Sequence, residues 1–245
     1  MTTFRTLDDI DLAGKRVLVR IDIKVPIHDG RITDDTRIRA VATTVTEILK
    51  KGGKPILVAH RGRPNGRPDP ALSLGLLRLP LSQAFSAPVT FAETGAHRTA
   101  GDWADAMEPG EVLLLENIRF YPGEETNAPN FAQALANLAS VYVNDAFSVS
   151  HRAHASTVGV ARLLPAVAGR QMEAELIALD KALSRPERPV VAVIGGAKVA
   201  TKLDLTGNLM RKVDQIVIGG GMANTFLAAQ GHDVGQSLCE HDLVD

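Results

Sequence analysis

Short apolar, β-branched runs recur along this chain, and each stops abruptly at a polar or glycine-bearing cluster. Val17-Leu18-Val19-Arg20-Ile21 stops at Asp22, and Ile56-Leu57-Val58-Ala59 stops at His60-Arg61-Gly62-Arg63-Pro64. Val112-Leu113-Leu114-Leu115 gives way to Glu116-Asn117-Ile118-Arg119, and Val141-Tyr142-Val143 to Asn144-Asp145. Further on, Val190-Val191-Ala192-Val193-Ile194 ends at Gly195-Gly196, and Ile216-Val217-Ile218 at Gly219-Gly220-Gly221. Hydrophobicity that is continuous and not alternating predicts strands buried on both faces, as in a parallel sheet.

Helical periodicity fills the gaps. Ile38, Val41, Val45 and Ile48 recur at three- and four-residue spacing, with Asp34 and Asp35 as N-terminal capping residues and Gly52-Gly53 as a stop. Phe131, Leu135 and Leu138 repeat the spacing in a second helix. Strands alternating with amphipathic helices place the chain in the α/β class. Gln171 to Leu183 reads as a helix, broken by Ser184-Arg185-Pro186-Glu187-Arg188-Pro189 before a new strand. The expected organisation is a domain over 1–170, a connecting helix and hinge over 171–188, and part of a second α/β domain over 189–245. No fixed-period repeat or low-complexity tract interrupts it.

Composition narrows the function classes. The chain has 245 residues, 45% hydrophobic and 22% charged, enough material for a soluble core. A formal net charge of −1 gives no bulk attraction to nucleic acid or to an acidic membrane, so neither is expected as a partner. Cys239 is the single cysteine, which suits a reducing compartment. No apolar run approaches the roughly 18–20 residues of a membrane span. Met1-Thr2-Thr3-Phe4-Arg5 lacks the apolar stretch of a secretory signal, and the expectation is a cytoplasmic enzyme.

In an open parallel sheet, ligands bind beyond the carboxyl ends of the strands. That rule sends Asp22, His60, Arg63 and Arg119 to one rim, where Arg37 and Arg152 are placed to join them. Guanidinium forks grip phosphate and carboxylate bidentately, so several converging arginines point to a small, highly anionic ligand. Taken singly, each arginine also reads as a surface ion-pair partner and His60 as a hydrogen-bonded structural histidine. His151 and His154 lack further ligands at metal spacing, and no zinc site is expected. In the second half, Gly195-Gly196-Ala197-Lys198-Val199 follows a strand and opens a helix, which offers backbone N–H groups to a phosphate. Lys198 and Lys202 stand four apart, on one helical face. Tight strand-to-helix packing is the other reading of this turn and of Gly219-Gly220-Gly221. Neither the P-loop spacing nor the G-x-G-x-x-G fingerprint occurs.

These clusters resemble the motifs of phosphoglycerate kinases, in order and from near residue 5 onward. They are Arg20-Ile21-Asp22-Ile23-Lys24-Val25-Pro26, Asp35-Thr36-Arg37-Ile38, His60-Arg61-Gly62-Arg63-Pro64 and Leu115-Glu116-Asn117-Ile118-Arg119-Phe120. Tyr142-Val143-Asn144-Asp145-Ala146-Phe147, His151-Arg152-Ala153-His154-Ala155-Ser156, Gly195-Gly196-Ala197-Lys198-Val199 and Gly219-Gly220-Gly221-Met222-Ala223-Asn224-Thr225-Phe226 follow. The resemblance implies a Rossmann-like three-layer N-terminal domain and the opening of a nucleotide-binding domain. It implies reversible phosphoryl transfer between 1,3-bisphosphoglycerate with MgADP and 3-phosphoglycerate with MgATP, by a monomer whose domains close on a hinge. By the same analogy, Asp22, Ile23, Lys24, Arg37, His60, Arg61, Gly62, Arg63, Arg119 and Arg152 hold the phosphoglycerate. Lys198, Lys202 and Gly220 serve the nucleotide, and Arg37 acts beside Lys198 as the catalytic pair. The Mg²⁺ comes with the nucleotide, and the resemblance puts its protein ligand past Asp245.

The chain departs from the family pattern at Asp22-Ile23-Lys24, where Asp-Phe-Asn is usual, so an ammonium replaces a neutral amide beside the substrate. Arg61 replaces a usual leucine, and Ser148-Val149-Ser150 a usual Gly-Thr-Ala; both look tolerable. Family members continue past Asp245, so the expectation is a first portion that alone handles MgATP poorly. The rival readings are a non-catalytic anion-binding module and, more remotely, a Rossmann dehydrogenase.

Overall fold

A computed structural model describes residues 4–28, 30–93, 99–184 and 186–244, so Arg185 of the expected helix break lies outside the described residues. The chain divides into two compact units, Met1–Leu176 and Ile177–Asp245.

The first unit carries β1 (Arg16–Ile21), the short hairpin β2 (Ile27–His28) and β3 (Arg31–Ile32), α1 (Thr36–Lys50) and β4 (Lys54–Val58). It continues with α2 (Arg78–Phe85), β5 (Val89–Ala92), α3 (Ala100–Asp105), β6 (Val112–Leu115) and α4 (Pro129–Ala136). β7 (Val141–Asp145), β8 (Ala166–Ala168) and the start of α5 (Arg170–Leu183) complete it. Six strands form one sheet in the order β5-β6-β4-β1-β7-β8, and every pairing within it is parallel. The α/β class with a central parallel sheet is therefore as the apolar runs predict.

Within this sheet the runs are continuous because both of its faces are covered; the runs 190–194 and 216–218 lie outside it and leave Val191, Val193 and Val217 exposed, contrary to expectation. Val17, Val19 and Ile21 of β1 pack with Leu57, Val143 and the α1 face on one side. Leu18, Ile56 and Tyr142 pack with Leu135 and Ala104 on the other. Each such buried aliphatic side chain contributes roughly 1.5–3 kcal/mol. The α1 stripe is Ile38, Val41, Val45 and Ile48, all fully buried. The helix ends in a Schellman motif, with Gly52 N–H donating to Leu49 O and Gly53 N–H to Ile48 O, and Gly52 at φ +75°.

Several elements differ from expectation. β5 and β8 are edge strands that do not stand out as apolar runs, β5 (Val-Thr-Phe-Ala) being interrupted by Thr90 and β8 short and alanine-rich. α2 carries Pro80 in its first turn, where a missing N–H costs nothing. α4 stops at Ala136, so Leu138 is buried from the following turn and not from the helix. At the start of α1, Asp34 Oδ1 accepts the Thr36 N–H, whereas Asp35 makes no side-chain cap and pairs instead with Arg39 at 2.9 Å.

The second unit contains the rest of α5, then β9 (Val191–Gly195), α6 (Leu203–Met210), β10 (Gln215–Gly219) and α7 (Gly221–Ala229). β9 and β10 form a parallel pair around a small core of Ile194, Val199 and Met222. Among the described residues, no helix is long and apolar enough to cross a membrane.

Candidate functional site

The carboxyl ends of β1, β4, β6 and β7 all open onto the same edge of the parallel sheet, and the polar clusters sit in the loops that leave them. Asp22 follows β1. Its Oδ2 accepts from the Arg37 guanidinium on α1 and from Ser148 Oγ at 2.6 Å, and its Oδ1 accepts the Lys24 N–H at 3.1 Å. Burial opposes the charge on Asp22, but the Ser148, Lys24 and Arg37 donors outweigh it and hold the carboxyl below its usual range. A cavity of about 200 Å³ opens beside this pair, lined by Asp22, Arg37, Asp145, Phe147, Ser148 and Gln171.

His60 follows β4. Burial, then the charges of Arg20 and Arg119, push its pKa down to about 3, with Arg152 adding to the effect and Asp22 opposing it. The loop after β6 presents Arg119, only 3% exposed, whose Nη1 donates to Gly62 O at 2.9 Å and whose Nε lies 3.3 Å from Glu125 Oε1. Burial pushes the Arg119 guanidinium down, Glu125 pulls it back up, and Arg152 and Arg63 push it down again. Cations that depress one another across a shared cleft are the electrostatic mark of a place for an anion. Arg119 and Arg152 thus act on His60, Arg63 and Arg152 act on Arg119, and Arg37 is tied to this group through Asp22.

Other predicted residues are placed differently. The side chain of Ile23 is in the main core, 1% exposed, because an apolar group next to the sheet gains more there; what Ile23 offers the rim is backbone. Lys24 is exposed. Arg61 turns to the supporting loop: its Nη1 reaches Ser73 O at 3.5 Å and its N–H reaches Asn117 Oδ1 at 3.3 Å. Gly62 has φ +65°, and a Cβ there would press on Leu72 Cδ2 at 2.7 Å, so glycine is required at this turn.

Some supporting residues escaped the sequence reading. Asn117 donates to Arg61 O at 2.8 Å and Leu72 O at 3.0 Å, and Glu116 accepts from Ser73 Oγ at 2.7 Å and Leu74 N–H at 2.9 Å. Together they brace the loop that carries His60 to Arg63. Arg20, quoted within its motif but given no role, lies in β1 and is 1% exposed. A charge inside a continuous apolar run requires a buried partner, and that was the signal available.

In the second unit, the glycine turns after β9 and β10 meet. Gly220 has φ +65° and ψ −156°, and a Cβ there would stand 3.1 Å from Gly196 O. Gly196 O also accepts the Met222 N–H at 3.0 Å. The shared helical face expected for Lys198 and Lys202 does not form. Lys198 lies in the turn, a 3-10 turn runs over Ala200–Lys202, and Lys202 takes the N-cap position of α6. The Glu240 carboxylate receives the otherwise unpaired N–H groups of Val199 and Ala200 and so caps this turn. Lys202 Cε closes over Gly196, where a Cβ would meet it at 2.9 Å. Among the described residues, no three His, Cys, Asp or Glu gather to hold a metal ion.

Comparison with known proteins agrees with the geometry. The family model described as phosphoglycerate kinase matches residues 7–245. A phosphoglycerate kinase of Ruegeria sp. (strain TM1040) is 61% identical over 241 residues, covering 98% of this chain and 61% of the relative. One from Azorhizobium caulinodans is 59% identical over 245 residues, covering 100% of this chain and 62% of the relative. The structure of phosphoglycerate kinase from Coxiella burnetii is similar with a TM-score of 0.86 at 40% identity, over 99% of this chain and 61% of that one. That of phosphoglycerate kinase from Pyrococcus horikoshii OT3 gives 0.81 at 32% identity, over 94% of this chain and 59% of that one. The chain thus spans 61–62% of the length of these curated relatives. With matching motifs, fold and family model over nearly all of its residues, the chain belongs to the phosphoglycerate kinase family.

Proposed function

We propose that this chain supplies the phosphoglycerate site and the opening of the nucleotide site of an enzyme that moves a phosphoryl group reversibly between 1,3-bisphosphoglycerate with MgADP and 3-phosphoglycerate with MgATP. The observation that supports it is the grouping of Arg63, Arg119 and Arg152 with His60, and of Arg37 with Asp22, where His60 and Arg119 are both pushed down by burial and then by neighbouring cations. Residues 1–170 bind phosphoglycerate, 171–188 connect and bend, and 189–245 begin the nucleotide domain.

The chemistry suits such a site. In the direction that consumes ATP, the 3-phosphoglycerate carboxylate attacks the γ-phosphorus. The new carboxylate-oxygen to phosphorus bond forms as the bridging oxygen to phosphorus bond breaks, and ADP leaves with the electron pair. The nucleophile is ionised at neutral pH, so no general base is needed, and catalysis is positioning plus neutralisation of charge on the transferring group. Arg63, Arg119 and Arg152 hold the phosphate end, Asp22 with Lys24 and the Ile23 backbone orients the glycerate, and Arg37 faces the reacting carboxylate. Arg61 and Gly62 shape the loop. Lys198 neutralises the moving phosphoryl group, while Lys202 and the Gly220 turn meet nucleotide phosphate. Mg²⁺ enters as part of the nucleotide. The same function goes with a cytoplasmic monomer.

Calorimetric titration with 3-phosphoglycerate, in parallel with Arg37→Ala, tests this. Saturable binding that weakens at least about tenfold in the variant is expected for a lost charge-assisted contact. A folded chain that binds no 3-phosphoglycerate would overturn it. A separate transfer assay with MgATP distinguishes an active chain from an anion-binding module.

A further inference from the structure

Arg20 is buried in β1, and its guanidinium meets only protein groups. Its Nε donates to Ser156 Oγ at 3.0 Å, its Nη1 to Ile21 O at 2.7 Å and Val58 O at 3.4 Å, and its Nη2 lies 3.0 Å from His60 Nδ1. Ser156 Oγ in turn donates to Glu124 Oε1 at 2.6 Å, and Glu124 is completely buried. The guanidinium is therefore clamped on three sides before it meets the imidazole.

A guanidinium has donors and no acceptor. The nitrogen that faces it must carry a lone pair, so Nδ1 of His60 is unprotonated and the ring proton resides on Nε2. An imidazolium would set an N–H against an N–H. We infer that Arg20 is a positioning residue that holds His60 as the neutral Nε2–H tautomer, so that His60 presents a directed hydrogen-bond donor, and no charge, to the anion at the rim. The role of that donor rests on the phosphoglycerate reading above; the tautomer does not.

The groups facing His60 from the surrounding elements all agree with this, save one. Arg20 comes from β1, Arg119 from the loop after β6 and Arg152 from the loop after β7, and all three disfavour a charged ring; Asp22, at the end of β1, opposes them. Burial adds to the cations. The positive charge of the rim thus belongs to its arginines, while His60 contributes direction.

The ring is read directly in the ligand-free chain by long-range ¹H–¹⁵N spectra, with His60 assigned by its loss in His60→Gln. Working without ligand keeps the titration of the substrate phosphate out of the measurement. The expected result is a pyrrole-type Nε2 and a pyridine-type Nδ1, unchanged between about pH 5 and 8. A proton on Nδ1, or protonation of His60 near its ordinary value, would overturn the inference. Arg20→Met should release the ring, which then titrates higher or mixes tautomers; an unchanged ring in that folded variant removes Arg20 from the account. If Arg20→Met does not fold, Arg20→Lys gives the same readout, because one ammonium cannot hold both Ser156 and His60.

With 3-phosphoglycerate as the probe, His60→Gln, whose amide nitrogen stands near Nε2, should bind at least about tenfold more tightly than His60→Asn, whose amide nitrogen stands near Nδ1. The reverse order contradicts the donor role. Failure of the unaltered chain to bind 3-phosphoglycerate, with the Nε2–H spectrum intact, would sink the functional reading and leave the tautomer standing.

Discussion

The hydroxyl of Ser148 donates to Asp22 Oδ2 at 2.6 Å, and the same oxygen receives the guanidinium of Arg37. A residue from the loop after β7 thereby orients a carboxylate at the end of β1 and, through it, an arginine on α1. Ser148→Ala removes one donor and leaves Arg37 in place. 3-Phosphoglycerate affinity should fall by about threefold to tenfold, the value of one hydrogen bond at a half-buried site. The Asp22 carboxyl, followed by NMR, should move up toward its ordinary range. Unchanged affinity would show that Arg37 and the Lys24 N–H are enough to orient Asp22.

Arg119→Lys keeps the charge and loses the fork. Arg119 donates through Nη1 to Gly62 O while its Nε faces Glu125, and one ammonium on a flexible stem cannot reproduce both. Affinity for 3-phosphoglycerate should drop by roughly tenfold with little change in melting temperature. Equal affinity in calorimetry would mean that only charge matters at this position.

Glu124→Gln tests the buried support beneath Arg20. Glu124 accepts Ser156 N–H at 2.9 Å and Ser156 Oγ at 2.6 Å, and its charge opposes the desolvation of Arg20. The amide removes that charge from a buried pair, and chemical denaturation should show a loss of about 3 kcal/mol. A loss below about 1 kcal/mol would indicate that the neutral hydrogen bonds of the network dominate.

Arg170 gathers Glu47 at 2.6 Å, Glu173 at 2.7 Å and Asp8 at 2.8 Å, and Lys51 joins Glu47 and Asp8. Hydrogen bonds from Arg170 and Lys51 lower the Asp8 carboxyl to about 2, and Arg170 chiefly lowers Glu47. Because these pKa values are depressed in the folded state, the stabilisation is present above the ordinary carboxylate pKa of about 4 and is lost as pH falls toward 2. The melting temperature should therefore fall across that window. Arg170→Met should show a shallower fall, since its carboxylates titrate nearly alike folded and unfolded. Parallel curves for the two proteins would rule the cluster out as the acid-sensitive element.

Gly220→Ala should cost about 2 kcal/mol, since φ +65° with ψ −156° is a conformation open almost only to glycine. The added methyl also presses on Gly196 O, which displaces the turn carrying Lys198. Loss of ADP binding by more than the loss of folded fraction is expected in a fluorescence titration. A variant that binds ADP normally would separate this turn from the nucleotide.

Continuous apolar runs and the α1 stripe sufficed to define the parallel sheet, because burial of both sheet faces and of one helix face is written into residue order itself. Val17 to Ile21 and Ile38 to Ile48 needed no partner to be recognised. The eight quoted motifs likewise led to the family directly. β5 and β8 were not legible, since an edge strand needs only one neighbour and carries little apolar signature of its own. The rim was legible as an address, because strand ends in such a sheet must face one way. Which atoms meet there was not. Ser148 reaches Asp22 across 126 positions of sequence, and Arg20 reaches His60 across 40. Glu240 caps the turn at Val199 from 41 positions away. Such contacts are chosen by the packing of whole elements and by the cost of leaving a buried donor or acceptor unpaired, so only the tertiary structure decided them.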